Sequence, residues 1–293
     1  MRARNGFTLV ELLIALVLFL IVSASVFQLL HNTQRVSRAQ AERTEMQSNM
    51  RAGALIVPAE LRSIGYDQFV TGTGNPAGTV MSDILSMAAD SIAFRAVRSS
   101  GIICNVAANT YVLDTGGFYT GYRAVAAGRD TLMVYGDMNP NRSSDDVWFR
   151  KRITAVGAGN CTAAYGGRAG TAITTDDAVP GDSIIVGAAY HSFEVMSYKL
   201  MQGADNRWYL NARSMSNPGE AYQPMLGPLA PLGFALKYYD VNGAETAVPA
   251  NVRTIQVTLI SQSTSRVSDM GSSNQQIQTD SVVTRVALRN AMR

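Results

Sequence analysis

The sequence contains very little histidine and cysteine, with two residues of each among 293. Zinc and related metal sites are built from histidine, cysteine and carboxylate ligands that stand at short, regular spacings. Neither His31 nor His191 stands at ligand spacing from Cys104 or Cys161. The sequence therefore predicts no metal centre of this kind and no cofactor.

Motifs for catalysis are also missing. No serine, histidine and aspartate set, and no cysteine and histidine set, has the pattern of a nucleophilic active site. The glycine-rich stretch at 72–78 lacks the Lys-Ser/Thr pair of a phosphate-binding loop. These absences favour a protein that is not an enzyme.

Charged residues make up only 16% of the chain, and the net charge is +3. A balance this close to zero argues neither for nor against a nucleic-acid partner. Three arginines near the C-terminus could contact DNA, but a solvated edge is the favoured interpretation for Arg285, Arg289 and Arg293. DNA is therefore a weak candidate partner.

What the sequence does contain is one long apolar run, which begins after Gly6 and continues to Leu30. About 24 residues at about 1.5 Å each span about 36 Å as a helix, which is enough to cross a bilayer. The run is longer than the apolar core of about 7–15 residues in a cleavable secretory signal. Its single charged residue is Glu11. Since an ionised side chain is costly in lipid, this acid indicates a function that involves a partner.

The start of this run resembles the N-terminal signature of type IV prepilins and pseudopilins, with the sequence Gly6-Phe7-Thr8-Leu9-Val10-Glu11. The resemblance implies that a prepilin peptidase cuts after Gly6 and that Phe7 becomes N-methylated. It also implies that the Glu11 carboxylate pairs with the Phe7 amine of a neighbouring subunit. Two charges that are each costly in lipid become tolerable when they pair. Arg2 and Arg4 fit a cytoplasmic leader by the positive-inside rule.

The helix is predicted to continue beyond the membrane. From His31 to Ile64, less polar residues recur at mostly three- or four-residue steps between charged ones. This part is amphipathic, and its apolar stripe is expected to pack on a sheet. Pro58 is expected to kink the helix or to separate a last short helix over 59–64. Gly65 is the predicted C-cap.

After Tyr66 the pattern changes to short runs rich in β-branched and aromatic residues, separated by turn residues. Strands are predicted at 90–94, 130–135, 147–156, 182–186, 191–200, 208–212, 235–240, 254–261, 280–283 and 284–288. Asn242-Gly243 predicts a tight hairpin turn. The expected fold is α+β, with a long N-terminal pilin helix, half transmembrane and half packed on the head, and a β-rich antiparallel globular head. The expected divisions are a leader at 1–6, an assembly helix at 7–30, an amphipathic helix at 31–66 and a head at 67–293.

Two more stretches resemble PilW-type minor pilins, namely an L-R-x-x-G-Y element at 61–66 and the C-terminal tail from about 230. J-type pseudopilins of type II secretion share the features of this tail, whereas the resemblance does not cover the stretch from about 70 to 230. The resemblance implies a minor pilin held in the inner membrane, with its N-terminus cytoplasmic and its head periplasmic, and then moved into a surface pilus. The implied partners are membrane lipid, prepilin peptidase, the inner-membrane assembly platform, and other pilin and minor pilin subunits. Two alternatives stay open: a J-type pseudopilin, and a tip module that binds DNA or a surface.

A periplasmic head would place Cys104 and Cys161 in an oxidising compartment, where a disulfide is favoured over two buried thiols. A weak calcium candidate has oxygen ligands at alternating positions, in Asp137, Asn139, Asn141 and Asp145. The sixth and twelfth positions lack the glycine and the glutamate of a calcium loop. A polar hairpin loop is therefore favoured, and the stretch 174–177 is predicted to be a solvated loop.

Overall fold

The computed structural model describes residues 8–64, 82–117, 119–121, 123–137, 141, 147–176, 184–268 and 274–288. Its first element is a single helix of 53 residues, α1 (Leu9–Leu61). At about 1.5 Å per residue, this helix is about 80 Å long. The apolar run and the amphipathic stretch of the sequence therefore belong to one uninterrupted element.

The described residues after α1 form fourteen strands, which are β1 (Ile84–Met87), β2 (Ser91–Ala107), β3 (Thr110–Leu113), β4 (Tyr119–Gly121), β5 (Thr131–Gly136), β6 (Val147–Asn160), β7 (Ala169–Thr175), β8 (Ala189–Gln202), β9 (Trp208–Ser214), β10 (Gln223–Tyr239), β11 (Thr254–Gln262), β12 (Val267–Ser268), β13 (Gln275–Gln276) and β14 (Thr279–Ala287). The main sheet has the order β1-β2-β3-β7-β6-β5-β8-β9-β10-β11-β14, with β4 paired to β2, and β12 and β13 form a separate pair. Every strand pairing is antiparallel. The predicted α+β class is confirmed.

The second half of α1 packs on the sheet through its apolar stripe. Met46, Met50, Val57 and Leu61 are buried, at spacings that keep them on one face of the helix. Met50, Val57 and Leu61 join the main hydrophobic core, which also includes buried side chains of β10, β11 and β14. Full burial of each such side chain contributes about 1.5–3 kcal/mol. This packing holds the head on the helix.

Gly53 allows α1 to approach the sheet closely. A Cβ atom at this position would lie 2.4 Å from Cδ2 of Leu226 and 2.8 Å from Cδ1 of Leu259. Both distances are shorter than a van der Waals contact, so a larger residue would move either the helix or the two leucines. The glycine therefore belongs to the docking surface of the helix.

The prediction that Pro58 separates a short final helix is wrong. Helix α1 continues through Pro58 to Leu61, and Pro58 itself is buried. A proline removes one backbone hydrogen bond and clashes with the preceding turn. Because helix α1 ends three residues later, the loss affects only its final turn, and the packing of Pro58 and Leu61 offsets it. The predicted C-cap, Gly65, lies outside the described residues.

Six strands close into a small barrel. The pairings run from β2 to β3, β7, β6, β5 and β8, and β8 pairs with β2 again. The first part of β2 meets the distal part of β8 below α1, as in the pair of Ile92 and Tyr198. The rest of both strands belongs to the barrel, as in the pair of Gly101 and Tyr190. A second core fills the barrel, with Ile103, Tyr111, Leu113, Leu132, Val134, Ile153, Ile173 and Tyr190.

Most of the predicted strands are present, and several are longer than predicted. The two predicted strands at 280–283 and 284–288 form one strand, β14.

The prediction of a strand at 182–186 is wrong for the residues of this stretch that the structure describes, 184–186. Ile184 packs into the barrel core, while Ile185 is exposed and its carbonyl accepts a hydrogen bond from Ala188 in a turn. The loop predicted at 174–177 is also wrong, since Thr174 and Thr175 belong to β7. The predictions do not include β1, β3, β4, β7, β12 or β13.

A buried charge network joins α1 to the barrel. Glu194 on β8 accepts hydrogen bonds from Arg98 on β2 at 2.9 Å and from Arg123 at 2.9 Å, and also from Arg129. Arg98 in turn binds Glu60 in the last turn of α1, at 2.9 Å. Burial alone would raise the pKa of Glu194, but the neighbouring Ser214 hydroxyl and the three arginines outweigh burial and lower it to about 2.

A disulfide joins Cys104 on β2 to Cys161, which directly follows β6. Their Cα atoms are 4.9 Å apart, and both side chains pack against Val112. Although β2 and β6 are not adjacent in the sheet order, the chain after β6 returns to β2, where the Thr162 N–H donates to the Cys104 carbonyl oxygen at 3.1 Å. The disulfide fixes this contact.

Replacing both cysteines with alanine should reduce the free energy of unfolding by about 4 kcal/mol, because a cross-link over a long loop removes loop-closure entropy from the unfolded chain. The separation here is 57 residues. Denaturant unfolding of the full chain in a neutral detergent measures the change. Reduction of the parent protein should give the same loss, and equal midpoints for oxidised and reduced protein would contradict a stabilising bond.

The Glu194→Gln variant should be less stable than the parent protein by about 3 kcal/mol at pH 7. The pKa of Glu194 is lower in the folded state, about 2, than its ordinary value. The contribution of the Glu194 charge to the free energy of unfolding is therefore complete above the unfolded-state pKa. It disappears as the pH falls from about 5 towards 2.

Denaturant unfolding at pH 7 and pH 3 measures this difference, which should shrink at the lower pH. Glu245→Gln is the matched control. Glu245 pairs with Lys237 in an exposed salt bridge, and exposed pairs contribute little. A loss for Glu194→Gln that does not change with pH would contradict this role of the charge.

Candidate assembly surface

Glu11, the acid inside the apolar run, lies in the first turn of α1. Gly6 and Phe7, the predicted processing residues, lie outside the described residues. The geometry of the predicted assembly site is therefore given by Glu11, by Thr8 before it and by the helix behind it.

Thr8 and Glu11 form a capping box at the start of α1. The Oε2 atom of Glu11 accepts hydrogen bonds from the backbone N–H of Thr8 at 2.9 Å and from its hydroxyl at 2.9 Å. The Glu11 N–H donates to the Thr8 hydroxyl oxygen at 3.3 Å. These bonds satisfy backbone donors that no residue within the helix can reach. The Thr-x-x-Glu spacing is visible in the sequence, but the predictions above do not include it.

The capping box uses only one oxygen of the Glu11 carboxylate. Both hydrogen bonds from Thr8 go to Oε2, and within the described part of the chain Oε1 accepts none. A carboxylate can accept several hydrogen bonds. Glu11 can therefore close the end of its own helix and still offer Oε1 to a cationic group of another molecule.

The apolar surface of α1 is uncovered over its first half. Leu9 is 77% exposed, Phe19 69% and Phe27 72%, and the large apolar residues between them are exposed to similar extents. Within the described residues, α1 is the one helix that is long and apolar enough to cross a membrane, by its length and composition. A contiguous apolar surface of this size indicates burial in lipid or against other proteins.

Glu42 marks the place where the head holds α1. Its carboxylate accepts hydrogen bonds from the Thr264 N–H at 2.7 Å and the Ser265 hydroxyl at 2.9 Å, and also from the Thr264 hydroxyl. Burial acts to raise the pKa of Glu42, but these hydrogen bonds lower it. Next to it, Arg43 donates to Gln278 at 3.0 Å. The loop after β11 therefore fixes α1 just before its buried residues begin.

Of the other candidate residues, the structure describes Asp137, Asn141 and Arg285. Asp137 and Asn141 lie in the connection between β5 and β6, whereas Asn139 and Asp145 lie outside the described residues. No group of three histidine, cysteine, aspartate or glutamate side chains in the described ranges could hold a metal ion. Arg285 stacks on Tyr239 and donates to Gln256 on β11. Arg289 and Arg293 lie outside the described residues.

Comparisons with known proteins agree with the N-terminal motif. Residues 1–27 match the family model described as the prokaryotic N-terminal methylation motif. The chain is 32% identical to type II secretion system protein J of Vibrio cholerae over 76 residues. The aligned residues make up 26% of this chain and 34% of that protein. The chain thus spans about a third of the length of this relative. No solved structure matches the chain significantly.

The methylation motif, the uncovered apolar helix and the similarity to a pseudopilin agree with one another. The motif and the apolar helix concern the same N-terminal region, and the antiparallel head behind it has the class expected from the resemblance. The chain is thus prepilin-like in its N-terminal region, where it carries the methylation motif.

Proposed function

We propose that the chain is a minor type IV pilin of the PilW type. A prepilin peptidase cuts it after Gly6, and the new N-terminal residue, Phe7, is N-methylated. The subunit then leaves the membrane and enters or primes a pilus fibre that serves motility, adhesion or DNA uptake. The match of residues 1–27 to the methylation motif supports the processing steps.

The assembly proposal rests on one observation. The apolar surface of the first half of α1 is uncovered, and Glu11 lies at its start. Lipid covers this surface before assembly, and the helices of neighbouring subunits cover it afterwards. The Phe7 amine of a neighbour pairs with Glu11 through Oε1, while Oε2 keeps the helix capped. The ion pair sets the register between subunits, because each unpaired charge is costly in an apolar environment.

The head supports a minor role rather than that of a major, repeating subunit. The barrel between β2 and β8 enlarges the head beyond the sheet on which α1 packs. A bulky head fits more readily at the tip of a fibre than along its densely packed length. We therefore place this subunit at the tip, together with other minor pilins.

The proposed topology has the N-terminus in the cytoplasm and the head in the periplasm. The arginines of the leader, Arg2 and Arg4, favour this orientation. The disulfide between Cys104 and Cys161 fits an oxidising compartment. The inner-membrane assembly platform would then extract the processed subunit into the fibre.

A second candidate is a J-type pseudopilin of a type II secretion system. The similarity to protein J of Vibrio cholerae favours it over other fibre subunits. The two candidates share the helix and its processing, but they differ in the machine that the subunit joins. Deletion of the gene decides between them, since a loss of surface pili supports the pilin and a loss of protein secretion with normal pili supports the pseudopilin.

Glu11→Ala should abolish incorporation into the fibre and leave the protein in the membrane. The apolar surface that lipid covers is unchanged, whereas the charge that pairs with a neighbour's amine is lost. Immunoblots of sheared fibres and of membranes measure both pools. Glu45→Ala, an exposed acid on the docked part of α1, is the matched control and should assemble normally. Normal incorporation of the Glu11 variant would refute the role of this residue.

Replacing Gly6 with a bulky residue such as leucine should leave an unprocessed precursor. The peptidase must accept the residue before the cut, and the resemblance assigns that position to Gly6. Intact-mass analysis of the membrane-extracted protein should show the six leader residues retained and no N-methyl group. A mature, methylated mass in this variant would contradict the assigned cleavage site.

A further inference from the structure

Strand β14 lies at an edge of the main sheet, because β11 is its one hydrogen-bonded neighbour among the described residues. The pairing of β14 with β11 is continuous over nine residues and has no bulge. An edge strand presents a row of backbone N–H and C=O groups on which a strand of another chain can form. Nothing in the proposed assembly mechanism uses this edge.

The contacts at both ends of β14 show which of its residues face the open edge. In an antiparallel pair, the backbone groups of successive residues point alternately towards the neighbouring strand and away from it. Before β14, the carbonyl oxygen of Gln278 accepts a hydrogen bond from the Ser263 N–H at 2.8 Å. After it, the Leu288 N–H donates to the carbonyl oxygen of Arg253 at 3.0 Å. Even-numbered positions therefore point towards β11, and odd-numbered positions from 279 to 287 point towards the open edge.

Most of these outward backbone groups have no partner in the described part of the chain. The Ser281 N–H donates to the side chain of Asp280 at 2.8 Å, which satisfies one donor near the start of the strand. Val283, Arg285 and Ala287 have no such bond among the described residues. All three are exposed, and the exposed fraction of Val283 is 57%. They form a row of donors and acceptors with the spacing of a β-strand.

The strand at the other end of the sheet order, β1, is protected in ways that β14 is not. Strand β1 has only four residues, and its register with β2 shifts between Ile84 and Ser86. Short length, bulges, lysine and proline are the usual features that prevent another chain from pairing with an edge strand. Strand β14 has nine residues without lysine or proline, and its charged residues are Asp280 and Arg285. By these criteria β14 is an open edge.

A second copy of this chain does not suit the edge. Antiparallel pairing of two β14 strands would relate the copies by a two-fold axis perpendicular to the sheet. Helix α1 packs on one face of this sheet, so the axis would reverse the direction of the helix in the second copy. The apolar halves of the two helices would then point in opposite directions and could not enter the same membrane. This step rests on the proposed membrane anchor.

We propose that β14 binds an extended segment of a different protein, which adds an antiparallel strand to the sheet. In this mode of recognition, backbone hydrogen bonds supply the affinity and the side chains of the added strand supply the specificity. The residue opposite the exposed Val283 is apolar, and the residue opposite Arg285 is acidic, because opposite charges on facing positions stabilise a strand pair. Arg285 stacks on Tyr239 and donates to Gln256, and it has no carboxylate partner among the described residues. This binding does not depend on which fibre the subunit joins.

The test measures the binding of three labelled peptides to the full-length protein in a neutral detergent, by fluorescence anisotropy. The first is a short peptide that alternates valine and threonine, with glutamate in place of one valine. In the second, esters replace the backbone amides, which removes the N–H donors and keeps the side chains. The third has lysine in place of the glutamate.

Two variants change the edge, and a third is the control. Val283→Pro removes an outward N–H, and an edge strand tolerates proline where the N–H faces solvent. Arg285→Glu reverses the charge beside it. The matched control is Arg152→Glu, which changes an exposed arginine on β6, a strand that has a neighbour on each side. Thermal unfolding checks that every variant is folded.

We expect the glutamate peptide to bind the parent protein, and the ester peptide to bind about tenfold or more weakly. Val283→Pro should weaken binding of the glutamate peptide by a similar factor. Arg285→Glu should weaken binding of the glutamate peptide and strengthen binding of the lysine peptide, each by about threefold. Arg152→Glu should change neither affinity by as much as twofold.

Equal binding of the ester peptide would overturn the proposal. So would an equal effect of Arg152→Glu, or no binding of the glutamate peptide at about 1 mM. Light scattering of the parent protein in the same detergent tests the choice of partner. A monomer supports a different protein as the partner, whereas a dimer that Val283→Pro dissociates would place a second copy at the edge and overturn this choice.

Discussion

The first half of α1 presents an apolar surface that nothing in the described part of the chain covers, and the rest of the molecule is arranged around this constraint. About 22 exposed, mostly apolar residues would cost tens of kcal/mol in water at about 1.5–3 kcal/mol for each large side chain. The segment must therefore lie in lipid or against other helices. Because both environments are apolar, transfer between them requires little net change in hydrophobic energy, which suits a subunit that leaves one for the other.

The second half of the same helix is fixed to the head by contacts of two kinds. Apolar packing from Met46 to Leu61 stabilises the contact between the helix and the head. Polar contacts at either end of this stretch fix the position of the helix on the head. At one end Glu42 binds the loop after β11, and at the other Glu60 joins the network of Arg98 and Glu194. These contacts fix the second half of α1 to the head. Because Glu194 also binds Arg123 and Arg129, the same network connects the barrel to the helix.

The sequence predicted the helix and the class of the head well, because both depend on local patterns. Apolar continuity and then three- and four-residue steps are properties of neighbouring residues. The wrong predictions arose where distant contacts decide the structure. Helix α1 continues through Pro58 because the sheet packs against its last turn. Ile184 faces the barrel interior from a turn rather than from a strand. Barrel closure depends on the pairing of β2 with β8, about 90 residues apart along the chain, and the sequence does not reveal such a distant pairing.

At the candidate site, the sequence singled out Glu11, and its pairing with a neighbouring subunit stays a prediction. Glu11 stood out because a lone acid interrupts an apolar run, whereas its capping bond to Thr8 was not predicted, although the Thr-x-x-Glu spacing is visible in the sequence.

The central claim is that other subunits come to cover the apolar half of α1. The most direct measurement places a photo-crosslinking amino acid at Leu16 in cells that assemble fibres. The account predicts cross-linked products with other pilin-like subunits in the sheared fibre fraction. Fibre-associated protein that yields no protein cross-links from this position would contradict it.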